Sequence, residues 1–548
     1  MATALQLPPQ NSSEPEPRMS GQFASINTGT LRGLDAQPVT VEVDISPGLP
    51  KLIIVGLPDA SLSESGERIK AAIKNSGFAF PMRKVVINLA PADLRKEGTG
   101  FDLPLCIAIL LAAGVLAPTR WLEKTCFIGE VSLEGGLRRV NGILSMALMA
   151  KEHGYESLVV AEENVAEAAL VEGITVYGIK RLEELPILFM HPASFLMELD
   201  RQALMDNAAP LLKAEIDFAD IKGQGAAKRA LEIAAAGGHN LLMMGPPGSG
   251  KSMLSKALPG ILPPLSFNEM LEVSRIYSVA GLLPPASRET SFKQLMRNRP
   301  FRSPHHTATR AGLTGGGASP KPGEITLAHR GVLFLDEFAE FPRHVLEILR
   351  QPLEDGTVTI SRAQQNLTYP AQFMLLAALN PCPCGYAGDK LKPCVCGESR
   401  VTRYMHRLSG PLLDRIDIHL EIARLNEDEL LNQNTKAESS ENIRLRVLAA
   451  RDCQTERFKD SKIYCNAEMS PQQLNQYCKL DEAGQALMQK AIRKYQLSAR
   501  TFDRILRMAR TIADLSHAES IQISHLAEAL QYRGLQKQMR AAMTFQDK

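Results

Sequence analysis

Eight consecutive residues, Gly245, Pro246, Pro247, Gly248, Ser249, Gly250, Lys251 and Ser252, have the types and spacing needed to hold a polyphosphate. They fit G-x-x-x-x-G-K-[ST] in full, entered from the apolar run 240–243 and followed by a helix-like run 253–258. Glycines let the backbone curl until successive N–H groups converge on one anion. The following helix adds the positive end of its dipole. Lys251 is placed to reach the β- and γ-phosphates of ATP, and the Ser252 hydroxyl to take one Mg²⁺ coordination position. Kinases and small GTPases carry the same loop, so neighbouring motifs must decide the chemistry.

Residues 331–337 read as a continuous apolar strand ending in Asp336 and Glu337, the pattern of a buried parallel strand. Asp336 is expected to hold Mg²⁺ together with Ser252, and Glu337 to orient and polarise an attacking water. A third apolar strand, 373–379, ends in Asn380, whose amide can position that water from the other side. Because Pro381 follows, Asn380 reads equally as a turn residue. Cys382, Cys384, Cys394 and Cys396 put four thiols on a fifteen-residue loop directly after this strand. Four thiolates suit tetrahedral Zn²⁺. Reduced pairs without metal, or an iron–sulfur cluster, are the alternatives, and Lys390, Lys392 and Arg400 would let a folded zinc loop face DNA.

The elements that must position these groups follow from the rest of the chain. At 548 residues it has room for three or four domains, and 45% apolar against 22% charged residues is ordinary for a globular protein. A net charge of +2 gives no global attraction to nucleic acid, so any such surface must be local. The longest apolar run, 103–117, is interrupted by Pro104 and is shorter than a membrane span; it reads as a buried helix. No secretion signal opens the chain, and nine cysteines without a framework pattern fit a reduced cytoplasmic protein.

Residues 1–18 are rich in Pro, Ser and Glu and read as disordered. Strand-like runs at 39–43, 51–55, 84–89, 125–128 and 158–160 alternate with helical patterns at 61–76, 102–113 and 142–153, giving a first α/β domain over 19–191. A linker is expected at 192–214, an α/β nucleotide domain at 215–425, a second linker at 426–442 and a helical domain at 443–548. Between Lys251 and Asp336 lie about 85 positions, more than a βαβ crossover of about 30 residues needs. An insertion containing Arg302, His305, His306, Arg310 and the Gly-rich stretch 311–322 is expected there. The adjacent histidines read as a poor chelating pair. Residues 357–369 read as a β-hairpin with Arg362 near its tip, either a phosphate contact or a solvated charge.

The order phosphate loop, Asp-Glu strand, strand ending in Asn resembles the AAA+ ATPases. In that resemblance Arg415 supplies an arginine finger to a neighbouring subunit's ATP, unless it pairs internally with Asp414 or Asp417. Arg500 matches the "sensor 2" arginine that touches the γ-phosphate from the helical lid, with Arg504 its competitor. A finger acting in trans implies a ring, a homo-hexamer.

The stretches 54–60, 88–98, 101–104, 301–307 and 322–331 are similar to the YifB/ComM family, and the last two also to the magnesium-chelatase ATPase subunit. The resemblance implies a Lon-protease-like (ribosomal S5-like) α/β domain, a central AAA+ phosphate-loop α/β domain and a C-terminal helical lid. It also implies a hexameric helicase that promotes branch migration of DNA during homologous recombination in natural transformation, with the 357–369 hairpin in the ring's pore. The alternatives are a chelatase-like motor and a chaperone acting on protein. Two features set the chain apart within this resemblance. Gly100 and Val140 stand where a Lon-type protease has its Ser and Lys, so that dyad is missing. The first domain and the cysteine cluster are expected to be absent from chelatase ATPase subunits.

Overall fold

A computed structural model describes residues 22–196, 214–283, 296–317, 321–361, 366–389, 391–425, 437–461 and 463–533. They fall into two compact units, one formed by described residues up to 196 and the other by those from 214 onward.

In the first unit, strands β1 (Phe23–Arg32), β2 (Asp35–Ser46), β3 (Lys51–Val55), β4 (Lys84–Ala90), β5 (Thr125–Phe127), β8 (Ser157–Ala161) and β9 (Thr175–Ile179) form one mixed sheet, with β6 (Glu130–Val131) and β7 (Leu137–Arg138) pairing as a small ribbon beside it. The sheet order is β3-β4-β2-β1-β5-β8-β9. All five strand-like runs fall in strands. The unexpected ones are β1 and β9. On β1 the buried positions include Thr28, Gly29 and Thr30, so bulky apolar residues do not advertise the strand. Small residues are needed there: a Cβ on Gly29 would meet Met149 Cε at 2.4 Å. The helix Asp102–Ala112 is buried along its whole length, as the apolar run required. Its first residue, Asp102, is fully buried and takes a bidentate pair from Arg68 at 2.7 and 2.8 Å. A Cβ on Gly100 would lie 3.3 Å from Val140 Cγ1. The fold therefore brings Gly100 and Val140, the two positions singled out in the resemblance to Lon-type proteases, into contact.

The second unit is built on five parallel strands: β10 (Leu241–Met244), β11 (Phe301–Arg302), β14 (Val332–Leu335), β17 (Met374–Leu379) and β18 (Ile418–Glu421). They lie in the order β11-β14-β17-β10-β18. Strands β14 and β17 are buried at every position, which requires cover on both faces. Two antiparallel ribbons interrupt the crossovers: β12 (Gly315–Gly316) with β13 (Lys321–Pro322), and β15 (Thr357–Ser361) with β16 (Asn366–Pro370). The second is the expected hairpin; its tip, including Arg362, lies outside the described residues.

The C-terminal helices share the core of this sheet. Ile443, Val447, Ile505, Met508, Ile512 and Leu526 belong to the same apolar cluster as Leu241, Met243 and Leu376. Polar anchors fix the contact. His239 Nε2 meets Thr511 Oγ1 at 2.8 Å, and Arg504 donates to Asp417 Oδ1 at 2.7 Å and to the Arg415 carbonyl at 2.6 Å. Asp514 is buried and accepts from Arg457, Arg510 and Asn466. Arg507 donates to the Met469 carbonyl, so Arg504, Arg507 and Arg510 of the helix Ala499–Leu515 all act in packing. Among the described residues no helix is long and apolar enough to cross a membrane. Asp514→Ala would leave two buried guanidinium groups short of an acceptor. It is expected to lower the stability of the second unit by about 3 kcal/mol, read as a reduced denaturant midpoint at unchanged slope.

Candidate functional site

The phosphate loop runs from the end of β10 to the helix Lys251–Ala257. Gly248 and Gly250 take φ of +79° and +92°, a region open to glycine at little cost. Gly245 serves a different need: a Cβ there would strike the Ile422 carbonyl oxygen at 2.2 Å, so only glycine lets the loop pass beside β18. Lys251 Nζ donates to the Gly245 and Pro246 carbonyls at 2.6 and 2.9 Å and to Asn380 Oδ1 at 3.2 Å. Burial lowers its pKa, partly opposed by Asp336. The ammonium thus rests on weak neutral acceptors that an anionic phosphate can displace.

Ser252 Oγ donates to Asp336 Oδ2 at 2.9 Å, so the two expected Mg²⁺ ligands meet. Asp336 Oδ1 accepts the Glu337 N–H at 2.9 Å, while Glu337 itself sits at φ +51°. A non-glycine residue there is strained, and the strain aims its carboxylate off the strand end. Asn380, at the end of β17 between β10 and β14, joins the same cluster through Lys251. The three expected strand-end groups, Asp336, Glu337 and Asn380, therefore lie together beside Lys251 and Ser252.

Three contributors escape a reading by motif. His306 Nδ1 lies 2.9 Å from Glu337 Oε2, its ring stacked at 4.1 Å on His305 and edge-on to Phe341. The histidine pair therefore braces the Glu337 carboxylate. Gln224, itself at φ +55°, donates from Nε2 to the Ser249 and Ala423 carbonyls at 3.2 and 2.9 Å, tying the segment before the first helix to the loop. Glu354 is the third. Arg302, by contrast, is held by Glu324 at 2.7 Å through two bonds.

Arg415 and Arg500 converge on Glu354. Arg415 is ion-paired to it and donates to the Pro411 carbonyl at 2.8 Å; Arg500 reaches Glu354 Oε1 at 3.0 Å. Asp417 is taken by Arg504. This cluster stands at the start of the strands. The Asp417 N–H bonds the Asn240 carbonyl just before β10, whereas the phosphate loop begins just after it. The four residues of β10 separate the two edges, about 16 Å over the five steps from Asn240 to Gly245. Arg500, expected to touch a γ-phosphate from the helical lid, lies at the same edge as Arg415. Its helix is pinned to the opposite sheet edge through Arg504 and Thr511, and Arg500 stands beside Arg415 in a cavity of about 670 Å³ that also includes Arg299, Arg330 and Arg504.

The four expected thiols also meet. Their sulfurs all lie within 4.8 Å of one another, with Cys382–Cys384 at 3.3 Å and Cys394 at 3.6 Å from both. Zinc–sulfur bonds of about 2.3 Å in a tetrahedron demand edges of about 3.8 Å, which this cluster meets with small adjustments. Backbone N–H groups of Tyr386 and Val395 draw the Cys384 thiol down to about 6. Lys392 lies over the Tyr386 ring at 4.3 Å, and Lys390 lies outside the described residues.

A phosphate loop, an acid pair and a polar strand end on this sheet are the parts of an AAA+ ATPase core. The family model described as "Magnesium chelatase, subunit ChlI" matches residues 217–430, "Magnesium chelatase, subunit ChlI C-terminal" matches 437–533, and "Subunit ChlI of Mg-chelatase" matches 41–164. The chain is an AAA+ protein of magnesium-chelatase type. It is 42% identical to the YifB protein of Salmonella typhimurium over 516 residues, 94% of this chain and 98% of that one. It is 41% identical to the competence protein ComM of Haemophilus influenzae over 515 residues, again 94% and 98%. The chain belongs to the YifB/ComM family. The chloroplastic magnesium-chelatase subunit ChlI of Oryza sativa subsp. indica is 27% identical over 143 residues, 25% of this chain and 32% of that subunit. Because a model described as a chelatase subunit matches 41–164, the first domain no longer separates this chain from the chelatases.

Glu337→Gln is expected to retain ATP binding and to lower turnover by at least about a hundredfold, measured as kcat against the dissociation constant for ATP.

Proposed function

We propose that the chain is the subunit of a cytoplasmic, homo-hexameric ATPase ring that moves on DNA and promotes branch migration in homologous recombination during natural transformation. The observation that carries the ring is the distance between the two edges of the sheet. Arg415 lies with Asn240 at one end of β10, and the loop of the same subunit begins about 16 Å away at the other end, with Arg500 beside Arg415. A ring presents that edge to the next subunit's loop. There, two permanently charged guanidinium groups meet the charge developing on the transferred phosphoryl group.

In this reading Lys251 and the loop amides bind the triphosphate, and Ser252 and Asp336 hold Mg²⁺. The cation neutralises phosphate charge when bound. Glu337 takes a proton from the attacking water, oriented by His306, while Asn380 fixes the water and γ-phosphate from the other side. The rigidly anchored helical domain then carries the change at one subunit edge to its neighbour. The ComM relative's name supports competence as the setting, and the β15–β16 hairpin supplies the element to contact DNA, with Arg362 at its tip and Lys390 and Lys392 on the cysteine loop as further contacts. Cys382, Cys384, Cys394 and Cys396 are assigned to zinc, which the sulfur spacing fits.

Subunit mixing tests the ring. R415A and K251A proteins should each be inactive alone and regain ATP hydrolysis when mixed, because a K251A subunit still offers Arg415 to an intact loop. No recovery would place Arg415 in its own subunit's site. Single-stranded or forked DNA should stimulate hydrolysis several-fold, with a steep loss as salt rises. A chelatase-like motor or a protein-directed chaperone would not respond to it. Metal analysis should return one zinc per chain, lost in Cys394→Ser.

A further inference from the structure

Glu354 is the common partner of both arginines that the proposed ring chemistry needs. It is half-exposed, and it lies near the C-terminal end of the short helix Arg350–Asp355, three residues before β15. Only Asp355 and Gly356 intervene, Gly356 turning the chain at φ +65°. The Ala371 N–H closes on the Gly356 carbonyl at 2.7 Å, so the hairpin base is a single hinged junction. Across it, Gln351 Nε2 reaches Thr359 Oγ1 at 3.4 Å. The stem is buried on one face through Val358, Leu367 and Tyr369, so a displacement of the helix end is passed along β15 and β16 rather than absorbed.

The cation side is not saturated by this one carboxylate. Arg415 Nε is buried with no hydrogen-bond acceptor in the structure. Burial lowers the pKa of Arg415, and Arg350, Arg500 and Arg504 lower it further, so the guanidinium sits in a field that calls for more negative charge. Glu354 supplies one charge to two arginines. A terminal phosphate supplies more charge and three acceptor oxygens in a geometry that suits two forked donors. When it arrives from a neighbouring subunit, it and the carboxylate compete for the same N–H groups.

We propose that Glu354 is a positioning residue that parks Arg415 and Arg500 when the neighbouring nucleotide site is empty. Its release by the incoming phosphate repositions the β15–β16 hairpin. This rests on the reading that the two arginines serve the next subunit's ATP. Three events are thereby one exchange of partners: phosphate replaces carboxylate on the arginines, the carboxylate turns to solvent beside Asp355, and the helix end moves the hairpin.

The test uses the full-length ring. Glu354→Gln keeps the side chain's length and removes its charge. Without DNA it should raise kcat about fivefold, the worth of a partly exposed ion pair, and lower KM for ATP, because no carboxylate then competes with the neighbouring subunit's incoming phosphate for the two arginines. Hydrogen exchange in residues 350–370 should rise in the wild type when a non-hydrolysable ATP analogue with Mg²⁺ is added. In E354Q it should be raised already without nucleotide. Glu354→Asp should move both readings back toward wild type, and Glu354→Met, uncharged and of similar length, should reproduce E354Q. A kcat and exchange pattern in E354Q and E354M equal to wild type would overturn the proposal. Undiminished turnover in R415A would instead overturn the reading beneath it, and the exchange difference between E354Q and wild type would then still report on the latch alone.

Discussion

Every strand of the ATPase sheet runs in the same direction, so the sheet has two chemically different edges. At the C-terminal ends of β10, β14 and β17 lie the phosphate loop, Asp336, Glu337 and Asn380. At the N-terminal ends lie Asn240, Gly331 and Arg415, and the helical domain docks there. One edge gathers backbone N–H groups and a lysine around an anion; the other gathers arginines without a nucleotide of their own. Four fully paired residues of β10 stand between the two ends. The proposed dependence on a neighbour therefore rests on parallel strand direction more than on the loops.

The docking of the helical domain makes that separation rigid. His239, Asp417 and Arg330 belong to the sheet, while Thr511, Arg504, Glu468 and Tyr464 belong to the helices, and they meet through short polar contacts and a cation–π contact at 4.3 Å. Asp417 is held ionised despite burial: Arg504 is its strongest favourable neighbour, and the pKa falls well below the usual carboxylate range. Such a buried pair, once assembled, resists partial opening, because either partner alone would be left charged in a poor solvent. The helical domain thus travels with the strand starts.

What could be read from sequence follows the range of each interaction. The loop 245–252 and the acid pair 336–337 are local: each motif contains its own geometry, and strand patterning tells which end of a strand it occupies. Asn380 was recoverable for the same reason. Arg500 shows where this fails. An amphipathic helix declares its buried face but not the edge of the sheet against which that face packs, so the arginine was legible and its place beside Arg415 and Glu354 was not. Glu354, His306 and Gln224 act through partners 61, 31 and 25 residues away, and nothing in their own neighbourhood marks them. In the first unit, Gly100 and Val140 were read as substitutions in a lost dyad. That their side-chain positions touch depends on how the buried helix Asp102–Ala112 packs, which only the fold supplies.

The cysteine loop belongs to the nucleotide edge more closely than its position after Asn380 suggests. Gly385 packs so tightly on Pro247 that a Cβ would approach the proline ring to 2.6 Å. Arg424 donates to the Pro247 carbonyl at 3.2 Å, lies 3.3 Å from Asp389 and faces the Tyr386 ring. The loop that gathers the four thiols and the loop that cradles phosphate therefore share a wall. Fixing the sulfurs in a tetrahedron would also fix Gly385 and Tyr386, and through them the proline that shapes the first turn of the phosphate cradle. Whatever occupies the thiols thus bears on how well the anion site is preorganised. This gives the four cysteines a mechanical reason to stand beside the nucleotide, independent of any surface they present to DNA.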